Sequence, residues 1–466
     1  MSWRKFQSAY LLKTRRREKT ARKVKAAVLG LVLVLAVAAA GLLLLPMAKQ
    51  FWSQPDLPAA PGEPAAAAKP AEPAQLTKAE VAPMINPVEL SRSDKNIFFV
   101  DTPENSYKVT TSIDIYLQEY LLAVLGRLKK QNRGKPQRIA FVVMEADTGK
   151  IIAMTGFDLG NSDTNPCMAA DYPAASIFKI ITASAAVEKL GYKPGTPLFF
   201  NGSKYTLYKR QLRDVKNKYT SRITFSSAFA ESINPVFGKL GKNRLGREAL
   251  DAYARAFGFN EQINSELPVF TGNFKTTESE YHLAELGCGF NTDTTISPVF
   301  GAMLTSAIIN SGRLMAPSIV EHVTDADGKV IYKNKKATYK TPINPETAST
   351  MVALMEKTVT RGTARKSFRG FTRDKILSQL VIGGKTGSLY NREHTVKYDW
   401  FTGFGKEKKT SRKIALSIVV GHRKYIGTRA STYAKMILKE YFKTRRSLQA
   451  GNTQPGGGEK ESKTQS

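Results

Sequence analysis

Three short motifs follow one another along this chain: Ser176-Ile-Phe-Lys179, then Ser232-Ile-Asn234, then Lys385-Thr386-Gly387. Each alone is weak evidence, since a Ser-x-x-Lys tetrad arises by chance on the order of once or twice in a chain this long. The ordered triple constrains far more, because each member lies in the local context its chemistry requires. Ser176 heads a helix. Pro173 favours an extended approach, Ile177, Ile180, Ile181, Val187 and Leu190 have helical spacing, and Gly191 closes the segment. A serine there feels the positive end of the helix dipole. Lys179 shares its face one turn later. A buried lysine loses proton affinity, so it can take the hydroxyl proton and activate Ser176 as a nucleophile. Ser232 and Asn234 lie in Phe229-Ala-Glu-Ser-Ile-Asn-Pro235, where Pro235 biases Asn234 away from the α region and marks a helix-to-loop junction. On local grounds these two are equally helix-cap residues. Lys385-Thr386-Gly387-Ser388 follows a strand pattern. An extended strand can take a peptide by β-addition, and Gly387 permits close backbone approach.

The 466 residues suffice for two or three domains, and 42% of them are hydrophobic, enough for a globular core. The net charge is +31. Residues 1–25 hold ten Lys or Arg against one acid, and residues 26–48 then carry no charge. Those 23 residues can span a bilayer of about 30 Å. The positive-inside rule puts the basic tail in the cytoplasm and everything after Lys49 outside. A cleaved signal peptide is the alternative, with small residues at 36–40, but the apolar run exceeds the usual 7–15 residues of such a signal. Without residues 1–25 the chain still carries +22. That favours anionic partners. An extracytoplasmic domain argues for wall polymers or lipid headgroups and against nucleic acid; a solvated basic surface without a partner is the plainer reading. The four His are scattered and no Cys/His spacing suggests a ligand set, so no metal or cofactor is expected. Cys167 and Cys288 could pair in an oxidising compartment.

Eight prolines fall within residues 53–87, so residues 49–90 read as a Pro/Ala-rich linker. One globular stretch, 91–446, follows, and 447–466 reads as a disordered tail. The globular stretch begins with a helix leading out of Thr111–Gln118. Arg138–Met144 and Ile151–Thr155, about the turn Asp147-Thr-Gly-Lys150, read as a hairpin. Residues 176 to 365 are helix-patterned. Strands return at 380–384, 400–404 and 414–420, before a basic amphipathic helix at 431–443. This order suggests one antiparallel sheet closed by both ends of the stretch, with a helical region inserted.

The stretch resembles the transpeptidase domain of penicillin-binding proteins and the serine β-lactamases over nearly its whole length. The resemblance rests on the three motifs, the Asp-Thr-Gly-Lys hairpin, Ile296-Ser-Pro298, Arg361-Gly-Thr-Ala364 and Trp400-Phe-x-Gly403. It implies an α/β fold: a five-stranded antiparallel sheet flanked by helices plus an all-helical lobe, with the site between them, here preceded by a single transmembrane helix. It implies that Ser176, Lys179 and Ser232 are catalytic, with Ser232 relaying protons to and from the leaving amine. Asn234 would hydrogen-bond the substrate amide. Lys385, Thr386, Gly387 and Ser388 would complete the substrate site, Lys385 and Thr386 holding a carboxylate. The backbone N–H groups of Ser176 and Ser388 would form the oxyanion hole. Ser388 stands where many relatives have Thr, and Cys288 where they often have Gln. Tyr390 and Trp400 are cleft aromatics or core.

The implied activity is a peptidoglycan D,D-transpeptidase, a target of β-lactams, cross-linking D-Ala–D-Ala donor stem peptides to an amine acceptor through a serine acyl-enzyme. The short linker leaves no room for a glycosyltransferase domain, so the expected form is monofunctional, anchored in the bacterial cytoplasmic membrane with its catalytic domain outside. A membrane glycan polymerase is a candidate partner. Two readings stand beside it: a D,D-carboxypeptidase or β-lactamase on the same fold, and a non-catalytic penicillin-binding scaffold or sensor.

Overall fold

The computed structural model describes residues 75–451, residue 104 excepted. The expected basic tail and transmembrane helix at 26–48 lie outside the described residues. Among the described residues no helix is long and apolar enough to cross a membrane.

Nine strands and nine helices organise the described chain. The strands are β1 (Ile97–Asp101), β2 (Ser106–Thr111), β3 (Arg138–Glu145), β4 (Ile151–Asp158), β5 (Val320–Thr324), β6 (Val330–Lys333), β7 (Leu380–Tyr390), β8 (Lys397–Glu407) and β9 (Lys413–His422). The helices are α1 (Ile115–Lys129), α2 (Lys179–Leu190), α3 (Phe225–Ala230), α4 (Asn234–Lys239), α5 (Gly246–Phe257), α6 (Glu280–Cys288), α7 (Pro298–Ile309), α8 (Pro345–Thr360) and α9 (Ala430–Gly451). Shorter helical segments and strand pairs of two to four residues, among them Pro197–Phe200 with Ser221–Thr224, join them.

The main sheet has five antiparallel strands in the order β7-β8-β9-β3-β4. Its centre is apolar on both faces, as the unbroken run Ile-Ala-Phe-Val-Val-Met of β3 requires. Ile139, Phe141 and Val143 point to one face and pack with α1 and α9 through Leu121, Leu125, Tyr433 and Ile437. Ala140, Val142 and Met144 point to the other and join Phe300, Met303 and Leu304 of α7. Every residue of α7 is buried, so it is the central helix between the sheet and the helical lobe.

Two features depart from the expected organisation. A second sheet, ordered β1-β2-β5-β6, pairs residues about 210 positions apart, with Val320 opposite Thr111. The middle of the chain is therefore not purely helical. The folded body also begins before Ser91. Thr77 caps the short helix Lys78–Val81 in a capping box with Glu80, and a second short helix covers Pro87–Arg92. Val81, Ile85 and Leu90 are buried in the core. Gln118 donates to the carbonyls of Leu90 and Ser93, and Thr155 Oγ1 donates to that of Ser91 at 2.6 Å. The proline-rich composition concealed this end of the spacer, where Pro83 and Pro87 serve as helix-first-turn residues. At the other end α9 continues to Gly451, past the expected boundary at Arg446.

Candidate active site

The three motifs meet at the junction of the main sheet and the helical lobe. Ser176 lies in the 3-10 turn Ala175–Phe178 that runs directly into α2. Its predecessor Ala175 has φ +49°, a left-handed conformation that non-glycine residues rarely adopt. Gly289, the left-handed cap of α6, packs against this turn so closely that a Cβ there would lie 1.9 Å from the Ala175 carbonyl oxygen. The Ser176 turn is thus held by a backbone contact from a distant helix.

Lys179, fully buried, is the hub. Its Nζ donates to Ser176 Oγ at 2.7 Å, Asn234 Oδ1 at 2.8 Å and the Cys288 carbonyl at 2.7 Å. Three acceptors use all three hydrogens of an ammonium. Burial nevertheless favours the neutral amine and pushes Lys179 down to about 8. In the neutral form the amine keeps a lone pair for the Ser176 hydroxyl proton.

Ser232 and Asn234 stand in the turn between α3 and α4. Ser232 has φ +59°, a second strained non-glycine position, and it makes no helix cap. Asn234 is the first residue of α4, so Pro235 starts a helix here rather than ending one. The Asn234 amide is fixed at both ends: Oδ1 accepts from Lys179, and Nδ2 donates to the Tyr205 carbonyl at 3.0 Å.

Lys385 projects from β7, the edge strand of the main sheet. Its Nζ donates to Ser232 Oγ at 2.9 Å and to the Thr386 carbonyl at 2.7 Å. Burial, with the Lys179 charge second, holds it well below the ordinary lysine range. Neither Lys179 nor Lys385 has a carboxylate partner among the described residues; each instead lies 5.6 Å from a phenylalanine ring centroid, Lys179 over Phe237 and Lys385 over Phe229.

Gly387 is where the strand touches the Ser176 turn. A Cβ there would lie 3.2 Å from Ile177 Cγ1 and 3.3 Å from the Ala175 methyl. The close approach is therefore to the protein's own turn, at the residues on either side of Ser176. Ser388 is exposed, opposite Asp399 of β8, and Ser176 and Thr386 are half-buried. Trp400 is core: it is fully buried and its Nε1 donates to the Pro173 carbonyl at 3.0 Å. Tyr390 is exposed at the end of β7.

Two participants were not among the site residues expected from the sequence, the Cys288 carbonyl and Thr363. The Cys288 carbonyl acts through its backbone, so residue type does not announce it. Cys167 and Cys288 are both buried and separate thiols. Thr363 joins the Arg361-Gly-Thr-Ala364 segment to the site: its hydroxyl lies 2.5 Å from that of Thr386, and its N–H donates to the Ala230 carbonyl at 3.0 Å, just before Ser232. Among the described residues no cluster of His, Cys, Asp and Glu could hold a metal ion.

Comparison with known proteins agrees with this geometry. The sequence model of the penicillin binding protein transpeptidase domain matches residues 139–443. The chain is 27% identical over 299 residues to stage V sporulation protein D of Bacillus subtilis, covering 61% of this chain and 45% of that protein. It is 25% identical over 321 residues to peptidoglycan D,D-transpeptidase PbpA of Mycolicibacterium smegmatis, covering 61% and 62%. The chain thus spans about half the length of these curated relatives. Among solved structures, the D,D-transpeptidase domain of a peptidoglycan glycosyltransferase from Eggerthella lenta superposes with a TM-score of 0.58 at 22% identity, covering 72% of this chain and 83% of that one. Penicillin-binding protein A from Mycobacterium tuberculosis gives 0.57 at 21% identity, covering 72% and 81%. The α/β fold is shared, and the match over most of the folded stretch places this chain in the penicillin-binding protein transpeptidase family.

Proposed function

We propose that this protein is a serine D,D-transpeptidase that cross-links peptidoglycan stem peptides and is acylated by β-lactams. The observation that carries the reading is Lys179, fully buried and 2.7 Å from Ser176 Oγ, with Asn234 fixing its other side. Ser176 Oγ attacks the carbonyl carbon of the D-Ala–D-Ala bond while its proton passes to neutral Lys179. The N–H groups of Ser176 and Ser388 hold the developing oxyanion. Ser232, backed by Lys385 at 2.9 Å, passes a proton to the departing D-Ala amine. The C–N bond breaks and an acyl-enzyme remains. An amine of a second stem peptide then attacks it and regenerates Ser176. Lys385 and Thr386 hold the donor's terminal carboxylate, with the edge of β7 pairing the peptide as an added strand. The same reading anchors the chain by residues 26–48, after a basic cytoplasmic tail at 1–25, and puts the catalytic domain outside the cytoplasmic membrane. A membrane glycan polymerase is its proposed partner.

Labelling the full chain with a fluorescent penicillin tests this. The expected result is a stable covalent band that vanishes in Ser176→Ala. Rapid turnover without a band would make the protein a hydrolase, and no reaction from folded protein would make it a scaffold.

A further inference from the structure

Residues 204–222 carry seven Lys or Arg against one acid, Asp214. All seven are exposed. Lys204 pairs with Glu231. Among the described residues, Lys209, Arg210, Arg213, Lys216, Lys218 and Arg222 form no ion pair. Four of them lie over aromatic rings instead: Lys209 over Tyr281 at 5.9 Å, Arg210 over Tyr208 at 5.5 Å, Lys216 over Phe199 at 4.1 Å and Lys218 over Tyr219 at 5.2 Å. Such contacts steady a cation without neutralising it.

The backbone beneath these side chains is pinned to the body of the protein. Tyr281 donates to the Leu207 carbonyl at 2.6 Å, Asn243 to that of Leu212 at 3.1 Å and Asn201 to that of Val215 at 2.8 Å. The segment is rooted in the active site itself. The Asn234 N–H donates to the Lys204 carbonyl at 2.7 Å, and its side chain to that of Tyr205 at 3.0 Å. Alongside lies a concavity of about 390 Å³ whose lining includes Lys216, Lys239, Arg244 and Asp214, with Tyr192 and Phe199 as an apolar wall. Lys239 and Arg244 share the single Asp214, at 3.3 and 3.7 Å, so cations outnumber the acid three to one.

We propose that residues 204–222 and this concavity form a subsite for the carboxylate-bearing part of the substrate peptide, upstream of the end that enters the cleft. The inference rests on the transpeptidase reading and adds what the enzyme selects for. An acidic peptide is the favoured occupant because the segment's backbone is bonded to Asn234. Asn234 of the candidate site holds the carbonyls of Lys204 and Tyr205, so the start of this basic segment adjoins the site. A lipid surface or another polyanion needs no such connection. Exposed cations are screened beyond about 8–10 Å in physiological salt, so recognition here requires contact and weakens with ionic strength.

The experiment compares two D-Ala–D-Ala peptides on the full-length protein, one plain and one extended at its N-terminal side by two glutamates. The readout is the ratio of their kcat/KM values, in the parent and in Lys209→Gln/Arg210→Gln/Arg213→Gln. The expected ratio in the parent is about tenfold in favour of the acidic peptide, falling with added salt and collapsing towards one in the variant. A parent ratio of one, or a ratio the variant retains, overturns the proposal. So does a variant that loses only sedimentation with phosphatidylglycerol vesicles, which assigns the patch to a lipid surface. Penicillin labelling on the same preparations reports the serine chemistry separately. Labelled protein with no acidic preference sinks the subsite alone. Unlabelled protein that still binds the acidic peptide by fluorescence anisotropy, in a way the variant abolishes, sinks the transpeptidase reading and keeps the anionic site.

Discussion

At the scale of single residues, the site is built around two lysines that water cannot reach. Lys179 is held at about 8, so at pH 7 most of it carries the extra proton and cannot accept another. The sign of the pH dependence follows. Acylation by penicillin should rise about tenfold per pH unit below pH 8 and level off above it, until other groups titrate. A second-order acylation rate measured from pH 6 to 9.5 checks this; a flat profile would remove Lys179 as the base. The motifs picked out residues that the structure brings together but could not say which would hold which. That Lys385 backs Ser232, and that Lys179 bridges Ser176 and Asn234, depends on contacts 153 and 55 residues apart. Ser232 was the least legible of them. A serine near a helix boundary reads as a cap, and its positive φ is imposed by tertiary structure.

At the scale of elements, the site depends on pieces packed without intervening side chains. The C-terminal end of α6 supplies both the Cys288 carbonyl to Lys179 and Gly289 against the Ser176 turn. Gly289→Ala combines a left-handed backbone with a Cβ driven into the Ala175 carbonyl, and should cost about 3 kcal/mol of stability. Thermal unfolding would register a lowered midpoint, and penicillin acylation would slow in whatever remains folded. An unchanged midpoint would show that the turn is held by something else. The strands of the main sheet were readable because β3 and β9 are long apolar runs buried on both faces. The second sheet was not. Its strands are short and only partly buried, as in β1, and the two hairpins meet only through pairing across about 210 residues. Local pattern carries no record of such pairing.

At the scale of the whole molecule, the stretch from Leu76 to Arg92 decides where the folded unit begins. Leu76 N–H donates to the Ile331 carbonyl, and Asn165 Nδ2 donates to that of Pro87. Burying Val81, Ile85 and Leu90 contributes about 1.5–3 kcal/mol each. A chain beginning at Ser91 should therefore be several kcal/mol less stable than one beginning at Leu76, with lower soluble yield and a lower unfolding midpoint. Equal midpoints would return this stretch to the status of a spacer. The two buried lysines have a last consequence for the protein as a thermodynamic system. With no carboxylate partner for either among the described residues, burial favours their neutral forms, and a ligand carboxylate would reverse that. Binding an acidic peptide should then be accompanied by proton uptake near pH 8. Titration calorimetry of Ser176→Ala with an N-acylated D-Ala–D-Ala peptide should give an apparent enthalpy that varies with the ionisation enthalpy of the buffer. Affinity should fall as pH rises through the same range in which acylation of Ser176 is expected to quicken. The working optimum would be a compromise between capture and chemistry, set by two amines within one dry cleft.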